Sequence, residues 1–146
     1  MEAAALVIVI LLANADDLDL AERLQTDLQA RAQRELVLHI GQDGVGYLDK
    51  QGLTVDDLLV TPNIGRLFTK HSPKVVVMHL EQRSSADNHV ILGRLWRAGK
   101  EERLGGIAGE GDDAYPLLRR QVTQLLGDAL RPRQAATVFG TDASLA

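Results

Sequence analysis

Apolar residues along the chain fall into five segments that are typical of β-strands. The first, Ala4 to Leu12, is a continuous aliphatic run, and such runs are typical of strands that are covered on both faces of a sheet. Polar residues follow it, and four further apolar or alternating segments come later in the chain. These are Leu36 to Ile40, Val75 to Leu80, His89 to Arg97 and Glu101 to Ala108.

Helical spacing of apolar residues predicts helices between and after these strands. Leu20, Leu24 and Leu28 recur at intervals of four residues and give one apolar stripe directly after the first strand. Short helices are expected at Thr54 to Val60 and at Pro62 to His71. The strongest helical pattern follows the fifth strand and consists of Leu118, Val122, Leu125, Leu126 and Ala129.

Glycine-rich and polar stretches predict the loops. Gly41 to Gly52 holds four glycines and is interpreted as a loop. Gln82 to Asn88 is polar and is interpreted as a hairpin loop, while residues 98–100 are interpreted as a tight turn. Gly105 and Gly106 suggest a bulge or an edge position for the last strand.

Together these elements predict an α/β fold in the order β-α-β-α-β-β-β-α. The helix between the first two strands indicates a right-handed parallel crossover, whereas the short turns between the last three strands indicate an antiparallel meander. The expected fold is a mixed five-stranded sheet with helices packed on it, in which only strand four is antiparallel. At 146 residues the chain fits a single domain, expected at residues 1–131, with a loosely held C-terminal tail at 132–146.

Charge and cysteine content narrow the possible functions. The net charge of −4 argues against nucleic-acid binding, because such proteins usually gather Lys and Arg on one face. The absence of cysteine excludes disulfides and Cys-ligated zinc sites, but it does not identify a compartment. The N-terminal apolar run is too short to span a bilayer and lacks a basic flank, so it is interpreted as the first strand rather than as a signal peptide.

An acidic cluster after the first strand has two interpretations. Asp16, Asp17 and Asp19 occupy the place where a phosphoacceptor receiver domain holds magnesium. A receiver also needs an Asp at the end of its third strand, and here that strand ends in Leu80 and Glu81. Capping of the first helix is therefore the favoured interpretation.

The remaining candidate motifs also have structural explanations. Gly41 to Gly46 lacks the Lys-Ser/Thr of a P-loop, and the four histidines show neither metalloprotease spacing nor a nearby nucleophile elbow. Glu110, Asp112 and Asp113 precede the last helix and are interpreted as its N-terminal cap. No catalytic residue, cofactor or metal ligand is expected, which favours a non-enzymatic domain.

Trp96 is the single tryptophan of the chain. Alternation in the fourth strand places Val90, Leu92 and Arg94 on one face, with Trp96 assigned outside that alternation. If exposed, Trp96 could anchor a partner, since tryptophan is enriched among binding hot spots. Burial beneath the final helix is the favoured interpretation.

Three segments carry a resemblance to a known family: VIVILLANADDLDLAERLQTDL at 7–28, VVVMHLEQ at 75–82, and residues 89–130 from HVILGRLW to LLGDAL. In their order of elements they resemble the α/β fold of the TolB N-terminal domain and its envelope relatives, which include lipoprotein activators of peptidoglycan synthases and curli secretion components. The resemblance implies a non-enzymatic domain of the bacterial envelope, periplasmic or envelope-associated, that docks to other envelope proteins. The same fold class includes anticodon-binding domains of some tRNA synthetases, which the net charge disfavours here.

The first functional hypothesis is therefore an envelope interaction module. Its contact surface is expected to include the polar loop and the glycine-rich loop, since loops on rigid scaffolds commonly carry binding. The candidate protein-binding residues are Arg83, Ser84, Ser85, Asp87, Asn88, Tyr47 and Trp96.

Two other hypotheses stay open. One is a small-ligand or nucleotide-binding domain with a pocket at the carboxyl ends of strands one and two, near Asn14, Asp16 and Gly41. The other is a structural subunit in which the edge of strand five or the terminal helix completes a homo-oligomer. None of the three requires membrane insertion by this segment or a nucleic-acid partner, and the cytoplasm remains an alternative location.

Overall fold

The computed structural model describes residues 5–59, 75–84, 88–97, 100–109, 113–127 and 129–130. Its strands are β1 (Leu6–Leu12), β2 (Leu36–Ile40), β3 (Val75–Ser84), β4 (His89–Arg97) and β5 (Lys100–Ala108). Its helices are α1 (Leu18–Arg31), α2 (Gln42–Lys50), α3 (Val55–Leu59) and α4 (Tyr115–Leu125), and one 3-10 turn, Ala15–Asp17, precedes α1. The predictions for residues 62–71, 98–99 and 132–146 lie outside the described residues.

The strands form one sheet in the order β2-β1-β3-β4-β5. β1 is parallel to both β2 and β3, whereas β4 is antiparallel to β3 and β5. Strand four thus runs against the other strands of the described sheet, and the predicted mixed five-stranded fold is confirmed. β1 is covered on both faces, as its continuous apolar run predicts.

The helices α1 and α4 pack on one face of the sheet, here called the front face. Their buried side chains recur every three or four residues, which gives each helix one apolar stripe for the sheet. The strands contribute alternate residues, because successive side chains of a strand point to opposite faces. The core on this face includes Leu6, Ile8, Ile10, Leu20, Leu24, Leu28, Val76, Met78, Leu80, Ile91, Leu95, Tyr115, Leu118 and Val122.

Tyr115 joins α4 to α1 at the margin of this core. Its hydroxyl donates a hydrogen bond to the Asp27 carboxylate, and the Arg23 guanidinium lies 4.0 Å from the centre of its ring. Asp113 accepts the Tyr115 backbone N–H at 2.9 Å and pairs with Arg23 at 2.8 Å. Asp113 therefore accepts the first backbone N–H of the last helix from the position just before the N-cap residue Ala114, while Glu110 and Asp112 lie outside the described residues.

A smaller core lies on the opposite face, here called the back face, beneath α2 and α3. It consists of Val9, Leu11, Leu48, Leu53, Val75, Val77 and Trp96. These residues belong mainly to β1, to the start of β3 and to the segment around α2. The back-face core therefore covers one half of the sheet more fully than the half formed by β4 and β5.

The prediction of a loop at Gly41 to Gly52 is wrong, because this segment contains the helix α2. Gly44 and Leu48 lie four residues apart and are both buried against the sheet. A Cβ atom at Gly44 would lie 3.0 Å from Cγ1 of Val9, so glycine allows the helix to approach the sheet closely. Gly41 has a φ of 64°, which lets the chain turn from β2 directly into α2.

The predicted hairpin loop is also shorter than expected. β3 continues to Ser84, so that Gln82, Arg83 and Ser84 pair with β4 instead of forming the loop. The β4–β5 register is unbroken from one end to the other, so Gly105 lies in an edge strand without a bulge. Of the two interpretations of Gly105 and Gly106, a bulge or an edge strand, the structure shows the edge strand.

Candidate functional site

Two large apolar side chains remain exposed on the back face where β4 and β5 pair. Leu92 is 42% exposed and Ile107 is 66% exposed. Both lie on the same face of the sheet, and their neighbours on that face follow from the strand register. We call this surface the open face and define it as Val90, Leu92 and Arg94 of β4 with Arg103, Gly105 and Ile107 of β5.

A groove of about 350 Å³ runs from the open face toward β3. Its charged and titratable lining comes from three adjacent strands and consists of His79, Glu81, Arg94 and Arg103. Leu92 lies in the same groove and supplies apolar surface. The groove therefore combines cationic groups with an exposed apolar side chain.

The pKa of His79 is lowered in this groove. Burial of the imidazole is the main cause, and the positive charge of Arg94 lowers the pKa further, while the carboxylates of Glu81 and Asp17 act in the opposite direction. His79 therefore favours its neutral form more than a free histidine does.

Of the predicted loop residues that the structure describes, only Arg83 lies on the same face of the sheet as the groove, because Ser84 follows it in β3 and points to the front face. Arg83 is exposed near the end of β3, and its Nε donates to the Glu81 carboxylate at 3.0 Å. Ser84 and Asn88 are exposed on either side of the β3–β4 connection. Ser85 and Asp87 lie outside the described residues.

Tyr47 does not belong to this group. It lies in α2, where its ring stacks on His39 of β2 with 4.8 Å between ring centroids. His39 Nδ1 also lies 2.9 Å from the Asp43 carboxylate. Because β2 is an edge strand separated from β3 by β1, the structure does not bring Tyr47 together with the hairpin residues.

Trp96 is completely buried and is not available as a surface anchor. It follows the alternation of Val90, Leu92 and Arg94, contrary to the prediction, and so faces the back of the sheet. There it packs in the smaller core with Val77, its cross-strand partner. Burial is thus the interpretation that holds, but Trp96 lies on the face opposite the final helix rather than beneath it.

A second concave site lies at the carboxyl ends of β1 and β2, where the ligand-binding alternative expects it. The cleft has a volume of about 340 Å³, and both Asn14 and Gly41 line it. Asp16 does not line the cleft. The remaining lining is largely apolar, with Gln42 as a further polar side chain, and comprises Leu11, Leu12, Ala13, Ala15, Leu18, Gln42, Val45 and Val55.

Of the acidic cluster near this cleft, Asp17 bonds within the turn that leads into α1. The Asp17 carboxylate is buried and accepts the backbone N–H of Asn14 at 3.3 Å. This bond belongs to the 3-10 turn that precedes α1, and the Asp17 side chain makes no cap bond to α1 itself. Among the described residues, no group of three or more His, Asp or Glu side chains is arranged to hold a metal ion.

Comparison with known proteins finds similar chains among solved structures. No protein family matches the sequence, and no curated protein matches it. The chain is similar to TolB from Acinetobacter baumannii, with a TM-score of 0.43 and 17% identity over 93% of this chain and 29% of that chain. It is also similar to the lipoprotein GNA1162 from Neisseria meningitidis, with a TM-score of 0.38 and 11% identity over 85% of this chain and 97% of that chain.

TolB is also the protein whose N-terminal domain the sequence resembles, and the second structure is a lipoprotein. The sequence identities and TM-scores of both structures are too low to indicate the activity or the partners of this chain. Within the described residues, no helix has the length and apolar character needed to cross a bilayer.

Sequence reasoning did not select Leu92, Arg103 or Ile107 as site residues. The sequence does contain a pattern that could have identified them. Arg103, Gly105 and Ile107 alternate along β5 and so share one face, and the glycines of this strand suggest an edge position. The sequence pattern does not predict which half of the back face the helices cover.

Proposed function

We propose that this chain is a non-enzymatic protein-interaction module of the bacterial cell envelope, in the periplasm or associated with the envelope. It docks other envelope proteins through the open face. The observation that carries the proposal is the exposure of Leu92 and Ile107, which are diagonal neighbours on one face of the β4–β5 pair, while the other half of that sheet face is covered. Exposed apolar surface of this kind, rimmed by polar residues, marks interaction sites.

The polar residues around the open face fit a docking surface better than a catalytic site. Arg83 pairs with Glu81 at 3.0 Å, and Arg94 lies 3.6 Å from Glu101. These ion pairs form a charged rim around the apolar pair, an arrangement common to protein interfaces. Arg83, at the end of β3, extends this rim toward the β3–β4 connection.

A small-ligand function has its own supporting observation. The cleft lined by Asn14 and Gly41 lies at the carboxyl ends of two parallel strands, which is where α/β proteins commonly bind ligands. A thermal-shift panel of nucleotides and divalent metals tests it. A shift in Tm that disappears in the Val45→Trp variant, which fills the cleft, would favour this function over docking.

The docking proposal is tested by affinity capture from a bacterial envelope extract. The bait variant Ile107→Glu places a charge on the open face, and Leu18→Glu is its matched control, because Leu18 is an exposed apolar residue at the cleft. We expect Ile107→Glu to lose the proteins that the wild type captures and Leu18→Glu to keep them. Capture of nothing above background by the wild type, or equal capture by Ile107→Glu, would refute the proposal.

A further inference from the structure

Two arginines lie directly opposite each other on the open face. Arg94 of β4 and Arg103 of β5 are cross-strand partners, so their side chains project from the same face of the sheet. Like charges in directly opposite positions destabilise a sheet. The chain therefore carries an unfavourable pair at the place where its apolar surface is exposed.

The carboxylates nearby compensate this pair only in part. Glu101 lies 3.6 Å from Nε of Arg94, whose Nη1 also donates to the Leu59 carbonyl at 3.4 Å. Glu81 lies close to Arg83 instead. Among the described residues, no carboxylate forms an ion pair with Arg103, which is exposed.

Residues 60–74, which connect α3 to β3 in the sequence, include neither Asp nor Glu. The strands place Arg83, Arg94, Arg103, Glu81 and Glu101 on this part of the back face, and the buried Asp17 carboxylate acts on His79 from beside it. At the arginine pair itself, Glu101 is the one described carboxylate that pairs with either guanidinium, so the position between Arg94 and Arg103 is positive. A partner that supplies a negative charge would complement it.

We propose that the partner binds the open face through a protein segment. This segment places a carboxylate between Arg94 and Arg103 and an apolar side chain on Leu92 and Ile107. This inference rests on the proposed docking function and adds the chemistry of the partner. A guanidinium offers several N–H donors in a plane, and two of them match the two oxygens of a carboxylate. The bound carboxylate would also remove the repulsion between the two arginines.

The same surroundings disfavour a free phosphate as the occupant. A phosphate carries more negative charge than a carboxylate, and it would lie near Glu81 and Glu101. It would also leave the apolar surface of Leu92 and Ile107 in water. A segment with neighbouring acidic and apolar side chains uses both features of the surface.

The test uses a random peptide display library selected on the full chain. Parallel selections are made on the wild type, on the charge-reversed variant Arg94→Glu/Arg103→Glu and on Ile107→Glu. We expect peptides rich in acidic and apolar residues on the wild type and basic residues in place of acidic ones on the reversed variant. Binding of a selected acidic peptide should weaken by roughly tenfold or more in Arg103→Gln, the loss typical of one hydrogen-bonded charge pair.

Arg120→Gln is the matched control, because Arg120 is exposed on α4, which packs on the front face. It should leave the affinity for the peptide unchanged. The Tm of Arg103→Gln should equal or exceed that of the wild type, since one of two opposed charges is removed. A lower Tm would indicate that Arg103 serves the fold, and it would contradict the proposal.

The outcomes separate this inference from the function on which it rests. Apolar peptides that bind the wild type, fail on Ile107→Glu and show no acidic preference would overturn the inference and leave the docking function in place. Selections that give no peptide sensitive to Ile107→Glu would count against both. Displacement of the acidic peptide by inorganic phosphate at millimolar concentration would identify a free-anion site and would also overturn the inference.

Discussion

The side chain of Gln121 in α4 bonds to both backbone groups of Gly105 in β5. The Gly105 N–H donates to Oε1 of Gln121 at 2.8 Å, and Nε2 donates to the Gly105 carbonyl at 2.8 Å. In an edge strand these groups have no neighbouring strand, and an unpaired edge invites another chain to add to the sheet. Gln121 therefore takes the place of a neighbouring strand at this position.

Replacement of Gln121 by alanine should open the edge. We expect the free energy of unfolding to fall by about 1 to 3 kcal/mol, the net value of two hydrogen bonds, and the chain to self-associate through β5 as its concentration rises. Urea denaturation and light scattering measure the two effects. Gln124→Ala, an exposed position on the same helix, is the control, and a Gln121→Ala variant that behaves like this control would contradict the assignment.

A side chain at Gly105 should be poorly tolerated. Gly105 has a φ of 149°, and a Cβ atom there would lie 2.5 Å from the carbonyl oxygen of Ile91. We expect Gly105→Ala to destabilise the fold by about 1 to 3 kcal/mol, the usual cost of one strained backbone position. Gly46→Ala in α2 provides the contrast, because its Cβ would meet nothing within 4 Å, and alanine favours helix by roughly 0.5 to 1 kcal/mol.

The lowered pKa of His79 should make stability fall in mildly acidic solution. As the pH drops below about 6.5, the ordinary pKa of histidine, the unfolded chain binds a proton that the native His79 resists. The unfolded state is then favoured, and the loss continues until the pH reaches the lowered pKa of the folded state. Urea denaturation between pH 7.5 and 5.5 should therefore show a smaller loss of stability in His79→Gln than in the wild type. Equal losses would contradict this role of His79.

The hydroxyl of Tyr115 should contribute to the packing of α4 on α1. Tyr115→Phe keeps the ring beneath Arg23 but removes the hydrogen bond to Asp27. We expect a loss of about 1.5 to 3 kcal/mol, as for a hydrogen bond to a charged group. Tyr47→Phe is the control, since the ring contact of Tyr47 with His39 does not need its hydroxyl. If both variants have the same stability, the Tyr115 bond contributes nothing measurable.

The sheet was predictable because its strands carry strong local signals. The aliphatic run that ends at Leu12 indicated a covered strand, and short turns between the last three strands indicated a meander. The helix α2 escaped prediction because its glycines weaken the helical signal. Glycine is needed at position 44 because the helix approaches Val9 closely, and this approach is visible only in the folded structure.

The open face was only partly predictable. The alternation of Val90, Leu92 and Arg94 in β4 was visible in the sequence, and so was the suggestion that β5 lies at an edge. Exposure of Leu92 and Ile107 depends instead on which part of the back face the rest of the chain covers. This coverage is a property of the tertiary structure, because a strand with the same alternation could equally be buried beneath a helix.

The central claim, that the open face docks envelope proteins, is tested most directly by site-specific photocrosslinking in bacteria. A photoreactive phenylalanine analogue at position 107 reports on the open face, and the same residue at position 18 reports on the cleft. We predict cross-links to one or a few envelope proteins from position 107 and none of these from position 18. Cross-links from position 18 alone, or none from position 107, would contradict the account.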